Sequence, residues 1–174
     1  MRNVYFSKTQ TPLGEIYLAS SDSGLCKLKL QEENTMDFFR WMEKHFDEAI
    51  EDDDRNAYIV NQLDLYFQKK LKYFEVELDL IGTAFQQKVW RALADIPYGQ
   101  VYSYKNIAEK VGCLKGYRAI GMANNKNNIP IIVPCHRVVG SDGKLVGYGG
   151  GLHIKTRLLT LEGIAINEGK VVTG

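Results

Sequence analysis

The pattern of the chain changes near residue 82, and this change constrains the fold more than any other feature. Before it, three short apolar runs separated by turn residues predict strands, and two amphipathic segments that follow predict helices. After it, helical periodicity dominates. The 174 residues and the 45% share of hydrophobic residues suffice for packed cores. We therefore expect an α+β fold with two domains, residues 1–81 and 82–174.

The first domain is predicted to be an α/β unit that supports the second. Its strands are expected at 4–9, 15–20 and 25–30, its helices at 35–46 and 56–70, and a returning strand at 73–80. Cys26 alternates with lysines in the third strand, which predicts a buried packing role for this thiol. No catalytic constellation is visible in this half of the sequence.

The second domain is predicted to be mostly helical. A capping box at Thr83 begins its first helix. The next helix is expected at Tyr104–Val111, with Ser103 as its N-cap and Gly112 as a left-handed C-cap. A third helix is expected at Tyr117–Asn125. Two helices joined by a glycine-containing turn have the outline of a helix-turn-helix, although any small helical domain could show it.

Charge is distributed unevenly between the two halves. Residues 1–81 hold 10 Lys and Arg against 16 Asp and Glu, a net charge of −6, whereas residues 82–174 hold 12 against 5, a net charge of +7. This asymmetry favours a polyanionic partner for the second half, and nucleic acid is the usual one. The alternative is that the acidic run 47–54 is merely a solvated loop.

The predicted third helix has an unusual composition. It carries small residues at Ala119, Gly121 and Ala123, and it has no acidic side chain. A helix that faces ordinary solvent usually carries long charged side chains, so this helix is expected to lie close against another surface. That surface is either a neighbouring helix or a DNA backbone, in which case Arg118 is the projecting group.

The strongest indication of chemistry is the run Ile-Ile-Val-Pro-Cys-His-Arg-Val-Val at 131–139. Its apolar residues carry Cys135 toward the interior, where a working thiol needs a base or a positive field. His136 is the nearest base, and Glu162 is the best candidate for a carboxylate that orients it. A buried structural thiol is the competing interpretation.

Cysteine usage and the short apolar runs indicate the compartment. The three cysteines are widely spaced, with no CxxC and no histidine cluster, which argues against a disulfide framework or structural zinc. We therefore expect no metal, a reducing cytoplasmic location and no membrane partner. The N-terminus lacks a signal-peptide layout, and the apolar runs are too short to span a bilayer.

Taken together, these residues resemble the O6-alkylguanine-DNA alkyltransferases, also called methylated-DNA–protein-cysteine methyltransferases. The signature is Pro-Cys-His-Arg-Val-Val at 134–139. Further matching segments occur in the family's order at 83–90, 98–104, 118–121, 127, 147–152 and 162–163. The resemblance implies a ribonuclease-H-like α/β domain followed by a winged-helix-like DNA-binding domain with a helix-turn-helix.

The implied activity is DNA repair by direct, irreversible transfer of a methyl or larger alkyl group from O6 of guanine to Cys135. The small rim formed by Gly149 and Gly150 motivates the larger adducts, and O4 of thymine is a further expected target. Each chain acts once, without a cofactor, on a base flipped out of alkylated double-stranded DNA from the minor groove. A monomer is expected, and several copies side by side on DNA are an open alternative.

The resemblance also implies residue roles. His136 acts as the base through a water, Glu162 orients it, and Tyr104 protonates N3 of the leaving guanine. Arg118 fills the space that the flipped base leaves. The implied DNA contacts are Ser103, Tyr104, Arg118, Ala119 and Gly121. The implied lining of the base pocket is Asn127, Pro130, Val133, Tyr148, Gly149, Gly150 and Lys155.

Two departures from the family pattern concern the third helix. Met122 stands where many members have a second glycine, and Asn124 replaces a hydrophobic residue of some relatives. Cys135 separates the chain from alkyltransferase-like proteins that lack the acceptor. Two other functions stay open from the residues alone: a non-catalytic lesion-binding or regulatory helix-turn-helix protein, and a cysteine hydrolase with multiple turnovers.

Overall fold

A computed structural model describes residues 1–148 and 151–172. The chain divides into two compact units, residues 1–81 and 82–174. Within the described residues, every helix is too short or too polar to cross a membrane.

The first unit contains a four-stranded sheet and two helices. The strands are β1 (Asn3–Thr11), β2 (Gly14–Ser21), β3 (Gly24–Lys29) and β4 (Glu48–Glu51), and the helices are α1 (Thr35–His45) and α2 (Asp53–Phe67). The sheet order is β3-β2-β1-β4, with β4 parallel to β1 and the other pairs antiparallel. One apolar cluster joins Cys26 to Phe38 and Met42 of α1. Cys26 is fully buried in this cluster, so its predicted packing role is confirmed, and burial raises the pKa of its thiol to about 12.

One prediction and one alternative for this unit are wrong. Segment 73–80 forms no strand in the described structure, since Leu78 makes only an isolated bridge to Leu25. The acidic run 47–54 is not a loop, because it contains β4 and the start of α2. An edge strand needs only backbone pairing on one side, so β4 can keep its acidic side chains in solvent and shows no apolar alternation.

The second unit is mostly helical. Its elements are α3 (Ala84–Ala94), β5 (Tyr102–Ser103), α4 (Tyr104–Val111), α5 (Tyr117–Asn125), a 3₁₀ turn (Cys135–Arg137), β6 (Val138–Val139), α6 (Leu152–Leu161), β7 (Ile166–Asn167) and β8 (Lys170–Val171). Helices α4 and α5 begin and end at the predicted residues. Ser103 and Asn106 form a reciprocal capping box, and Gly112 has φ 74° and ψ 28°.

Two contacts of this unit determine where the catalytic candidates lie. The short strands β5 and β6 pair in parallel, with Tyr102 opposite Val138 and Ser103 opposite Val139. The first residue of α4 therefore lies close to the strand that follows the 3₁₀ turn. Helix α3 is fixed to α5 by the indole of Trp90, whose Nε1 donates to the carbonyl of Ala123 at 2.9 Å.

Candidate active site

Cys135 lies at the end of two tight backbone turns. In the first, the amide of Ile132 donates to the carbonyl of Pro130 at 3.0 Å, and the intervening Ile131 has φ 75°. In the second, the amide of Cys135 donates to the carbonyl of Val133 at 2.8 Å. A positive φ is costly for a β-branched residue and persists only when its surroundings enforce it. Ile131 is fully buried, so packing of its side chain holds the turn that presents the thiol.

Asn127 fastens this turn from the end of α5. Its Nδ2 donates to the carbonyl of Val133 at 2.7 Å, and its Oδ1 accepts from the amide of Ile129 at 2.9 Å. The same side chain hydrogen-bonds the thiol of Cys135. Asn127 therefore connects the backbone of the turn with the reactive group.

The thiol of Cys135 rests in its protonated form. The residue is 5% exposed, and burial raises the pKa of the thiol. Hydrogen bonds with Asn127 and Tyr148, together with the charge of Lys155, oppose this effect without overcoming it. Since only a thiolate attacks carbon efficiently, Cys135 needs a base at the moment of reaction.

His136 is held by a buried carboxylate in the form that a base requires. Its Nε2 lies 2.8 Å from Oε2 of Glu162, at the C-cap of α6, and both side chains are fully buried. Burial lowers the pKa of His136 although Glu162 opposes this, so the imidazole is neutral at neutral pH. With the Nε2 proton directed at the carboxylate, Nδ1 carries the lone pair, and Nδ1 has no partner among the described residues.

Arg137 completes the charge balance of this cluster, a role that sequence reasoning missed. Its Nε and Nη2 donate to the two oxygens of Glu162 at 2.8 and 2.9 Å, and its Nη1 donates to the carbonyl of Ile96 at 2.7 Å. Burial alone would raise the pKa of Glu162, but the hydrogen bonds from His136 and Arg137 lower it to about 2. The sequence carries only a general indication of this role. An arginine within an apolar run is rarely buried without a carboxylate partner.

Lys155 and Tyr104 meet at one carbonyl beside the thiol. Lys155 is fully buried, and its Nζ donates to the carbonyls of Val138 at 2.5 Å and Val146 at 3.0 Å. The hydroxyl of Tyr104 donates to the same Val146 carbonyl at 3.1 Å. Burial lowers the pKa of Lys155 to about 8, partly opposed by Cys135, whereas burial and Cys135 raise the pKa of Tyr104. Both side chains therefore interact electrostatically with Cys135.

The predicted DNA contacts lie mainly on the outer surface of α5. Arg118 and Ala119 are exposed, Gly121 is half-buried, and Met122 is 60% exposed. Ser103 is also half-buried, and its hydroxyl caps α4 by accepting from an α4 amide. Arg118 and Ala119 are therefore open to solvent on α5, while Ser103 has a structural function in capping α4.

Several of the predicted pocket residues lie in or next to the turn, and Lys155 lies on α6. Pro130 and Val133 are buried in the turn itself, and Tyr148 is half-buried and opposes the rise in the pKa of the Cys135 thiol. Gly149 and Gly150 lie outside the described residues. Within residues 1–148 and 151–172, no group of three or more His, Cys, Asp or Glu side chains could hold a metal ion.

Comparisons with known proteins agree along almost the whole chain. Residues 4–80 match the family "6-O-methylguanine DNA methyltransferase, ribonuclease-like domain", and residues 84–164 match "6-O-methylguanine DNA methyltransferase, DNA binding domain". The methylated-DNA–protein-cysteine methyltransferase of Methanosarcina barkeri is 45% identical over 166 residues, covering 91% of this chain and 97% of the relative. The constitutive protein of that name from Bacillus subtilis is 41% identical over 165 residues, covering 94% and 98%.

Solved structures give the same result. The crystal structure of Mycobacterium tuberculosis OGT in complex with DNA superimposes with a TM-score of 0.81 at 44% identity, covering 91% of this chain and 92% of that chain. The O6-methylguanine-DNA methyltransferase of Pyrococcus kodakaraensis shares the fold, with a TM-score of 0.63 at 23% identity. The predicted α+β fold class is confirmed, and the chain belongs to the 6-O-methylguanine DNA methyltransferase family.

Proposed function

We propose that this protein repairs DNA by transferring a methyl or larger alkyl group from O6 of guanine to Sγ of Cys135, once per chain. The observation that carries this proposal is a buried thiol at Cys135 followed directly by a buried imidazole at His136. The carboxylate of Glu162 fixes that imidazole at 2.8 Å. Membership of the family supports the same reaction.

The burial of Cys135 requires the target nucleotide to leave the duplex. A residue that is 5% exposed cannot reach O6 within stacked bases, so the base must be extruded at a cost of a few kcal/mol. Arg118, exposed on the first turn of α5, would occupy the vacated space in the stack. The small side chains of Ala119 and Gly121 would let the helix approach the minor groove closely.

The chemical step is an in-line attack on a saturated carbon. Nδ1 of His136 takes the thiol proton through a water, and Sγ of Cys135 forms a bond to the alkyl carbon. The bond from that carbon to O6 breaks, and its electron pair stays with the guanine. Tyr104 releases the Val146 carbonyl and gives its proton to N3 of the leaving base. The proton taken from the thiol replaces the one that Tyr104 gave.

The product and the partner follow from this chemistry. A thioether has no hydrolytic exit, so the chain is consumed and needs no cofactor. We infer that a monomer binds alkylated double-stranded DNA through the basic second unit, and that O4-alkylthymine is a secondary target. The three free cysteines suit a reducing compartment such as the cytoplasm.

The test is intact-mass and peptide analysis after incubation with a duplex that contains O6-methylguanine. We expect one methyl group per chain, on Cys135, with no further turnover. Cys135→Ser should bind DNA without accepting the methyl group, while Cys113→Ser, the same change at a thiol in the α4–α5 turn, should still accept it. Binding without transfer would instead identify a lesion-binding protein, and repeated turnover would identify a hydrolase.

A further inference from the structure

Asn124 has a buried carboxamide with unused hydrogen-bonding capacity. The residue is 2% exposed, and neither its Oδ1 nor its Nδ2 has a partner within residues 1–148 and 151–172. A buried polar group without a partner costs free energy of folding, and native proteins contain few of them. A leucine at this position would avoid that cost, so folding alone gives no reason for the amide.

Asn124 lies at the end of α5 that leads into the active site. It lies one helical turn after the buried Ile120, and its carbonyl accepts from the amide of Asn127 at 3.4 Å. The carboxamide of the next residue, Asn125, comes within 3.6 Å of the point where a side chain on Gly147 would begin, and the hydroxyl of Tyr104 comes within 3.5 Å of that point. Of the residues that follow Asn124, Asn125 thus lies near Tyr104 and Asn127 holds the turn that carries Cys135.

Another buried polar atom of this unit shows the same feature. Nδ1 of His136 also has no partner among the described residues, and the proposed reaction uses that atom. By contrast, both polar atoms of Asn127 are paired with backbone groups of the turn. In the second unit, one such buried atom is thus an atom that the proposed reaction uses, and Asn124 lies on α5 of the same unit.

We propose that the carboxamide of Asn124 is a specificity-determining group that hydrogen-bonds the polar edge of the extruded base. This inference rests on the proposed function. A carboxamide offers N–H donors and a carbonyl acceptor, and asparagine pairs with base edges in this way. O6-alkylguanine presents ring-nitrogen acceptors and an exocyclic amine donor, which together match both groups of the amide. O4-alkylthymine has no amine, so it leaves the carbonyl of Asn124 unpaired.

The inference predicts discrimination between bases that differ in one polar group. A site built to hydrogen-bond a substrate rejects an analogue that lacks the bonding group, because a buried polar group is then left unpaired. The protein should therefore prefer O6-methylguanine over O6-methylhypoxanthine, which lacks only the amine. It should also prefer O6-methylguanine over O4-methylthymine.

The test compares Asn124→Leu with the wild-type protein on these three adducts, placed in the same duplex sequence. We expect transfer from O6-methylguanine to slow about tenfold or more, while transfer from O6-methylhypoxanthine slows much less, so that the ratio of the two rates approaches one. The melting temperature should stay the same or rise. Asn61→Leu, the same change at an exposed asparagine of α2, should leave the rates and their ratio unchanged.

Each other outcome has a definite meaning. An Asn124→Leu protein that keeps the wild-type rates and the wild-type ratio overturns the inference. If Asn124→Leu does not fold, Asn124→Asp keeps the shape and removes the N–H donors to the ring nitrogen, and an unchanged rate of transfer from O6-methylguanine in that variant overturns the inference equally. A wild-type protein that leaves Cys135 unmethylated overturns the proposed function itself, whatever the variants do.

Discussion

Glu162 is the residue on which the geometry of the site depends, because one buried carboxylate orients the imidazole of His136 and neutralises Arg137. The sequence allowed Glu162 to be chosen as the orienting acid, since the second half contains few acids. It did not reveal the bidentate contact with Arg137, because that pairing joins residues 25 positions apart and depends on how α6 packs against the 3₁₀ turn. Local sequence patterns do not carry such information.

The lowered pKa of Glu162 predicts a specific loss of stability in acid. Its pKa falls from the ordinary value of 4.5 to about 2 on folding, so the stabilisation is complete above pH 4.5 and is lost as the pH falls toward 2. Glu162→Gln removes this linkage. Thermal melting across that range should show the difference between wild type and Glu162→Gln shrinking as the pH falls.

Glu168→Gln is the control for this measurement, because Glu168 is exposed and should follow the wild-type curve. A difference between wild type and Glu162→Gln that stays constant from pH 5 to pH 3 would show that the carboxylate is not stabilised by folding.

At the scale of elements, helices with local capping signals were predicted correctly, whereas a strand that depends on long-range pairing was not. Helices α4 and α5 were predicted at their observed ends because Ser103 and Gly112 fix the limits of α4 by hydrogen bonding and by a left-handed φ. Strand β4 was not predicted because its pairing with β1 is a long-range contact and two of its four residues are acidic. Segment 73–80 has a strand-like pattern, but a single bridge at Leu78 is all that it forms.

Two glycines near α5 should respond to alanine in opposite ways. Gly112 has a positive φ, so Gly112→Ala should destabilise the fold by about 1 kcal/mol. Gly121 lies within the helix, and a Cβ there would meet nothing within 4 Å among the described residues. Gly121→Ala should therefore stabilise the free protein by about 0.5–1 kcal/mol and weaken binding to duplex DNA.

Urea denaturation and DNA titration of both variants measure these effects. Unchanged DNA affinity in Gly121→Ala would argue that this face of α5 does not approach the duplex closely.

Arg118 on the same helix should affect the reaction rate only when the target nucleobase must leave the base stack of a duplex. We expect Arg118→Ala to slow repair of duplex DNA strongly and to leave the reaction with free O6-benzylguanine nearly unchanged, because the free base needs no extrusion. Single-turnover rates with the two substrates give the comparison. Arg118→Lys keeps the charge and serves as the control for simple electrostatic attraction. Equal slowing with both substrates would exclude a wedge role.

At the scale of the whole molecule, the charge asymmetry predicts which half of the chain contacts DNA phosphates. The net charge of residues 82–174 is +7, and that of residues 1–81 is −6. The logarithm of the association constant for DNA should fall linearly with the logarithm of the salt concentration. The slope should be about −0.9 for each neutralised phosphate. Fluorescence anisotropy with an unmodified duplex at several salt concentrations measures this slope.

A matched pair of lysines tests the assignment to the second half. Lys115→Ala, in the exposed turn between α4 and α5, should make the slope shallower by about one unit. Lys8→Ala, at an exposed position of β1, should leave the slope unchanged. A flat salt profile in the wild-type protein would contradict backbone binding altogether.

The raised pKa of the Cys135 thiol has a consequence for a protein that each reaction destroys. Free methylating reagents and oxidants attack thiolates far more readily than thiols, and such reagents are present in the cell that needs repair. A sulfur that stays protonated and buried until a flipped nucleobase enters the site is therefore protected from reaction with these reagents. Burial lowers the reactivity of the Cys135 thiol in the absence of a bound lesion. It thereby keeps more protein molecules unreacted and able to repair alkylated DNA.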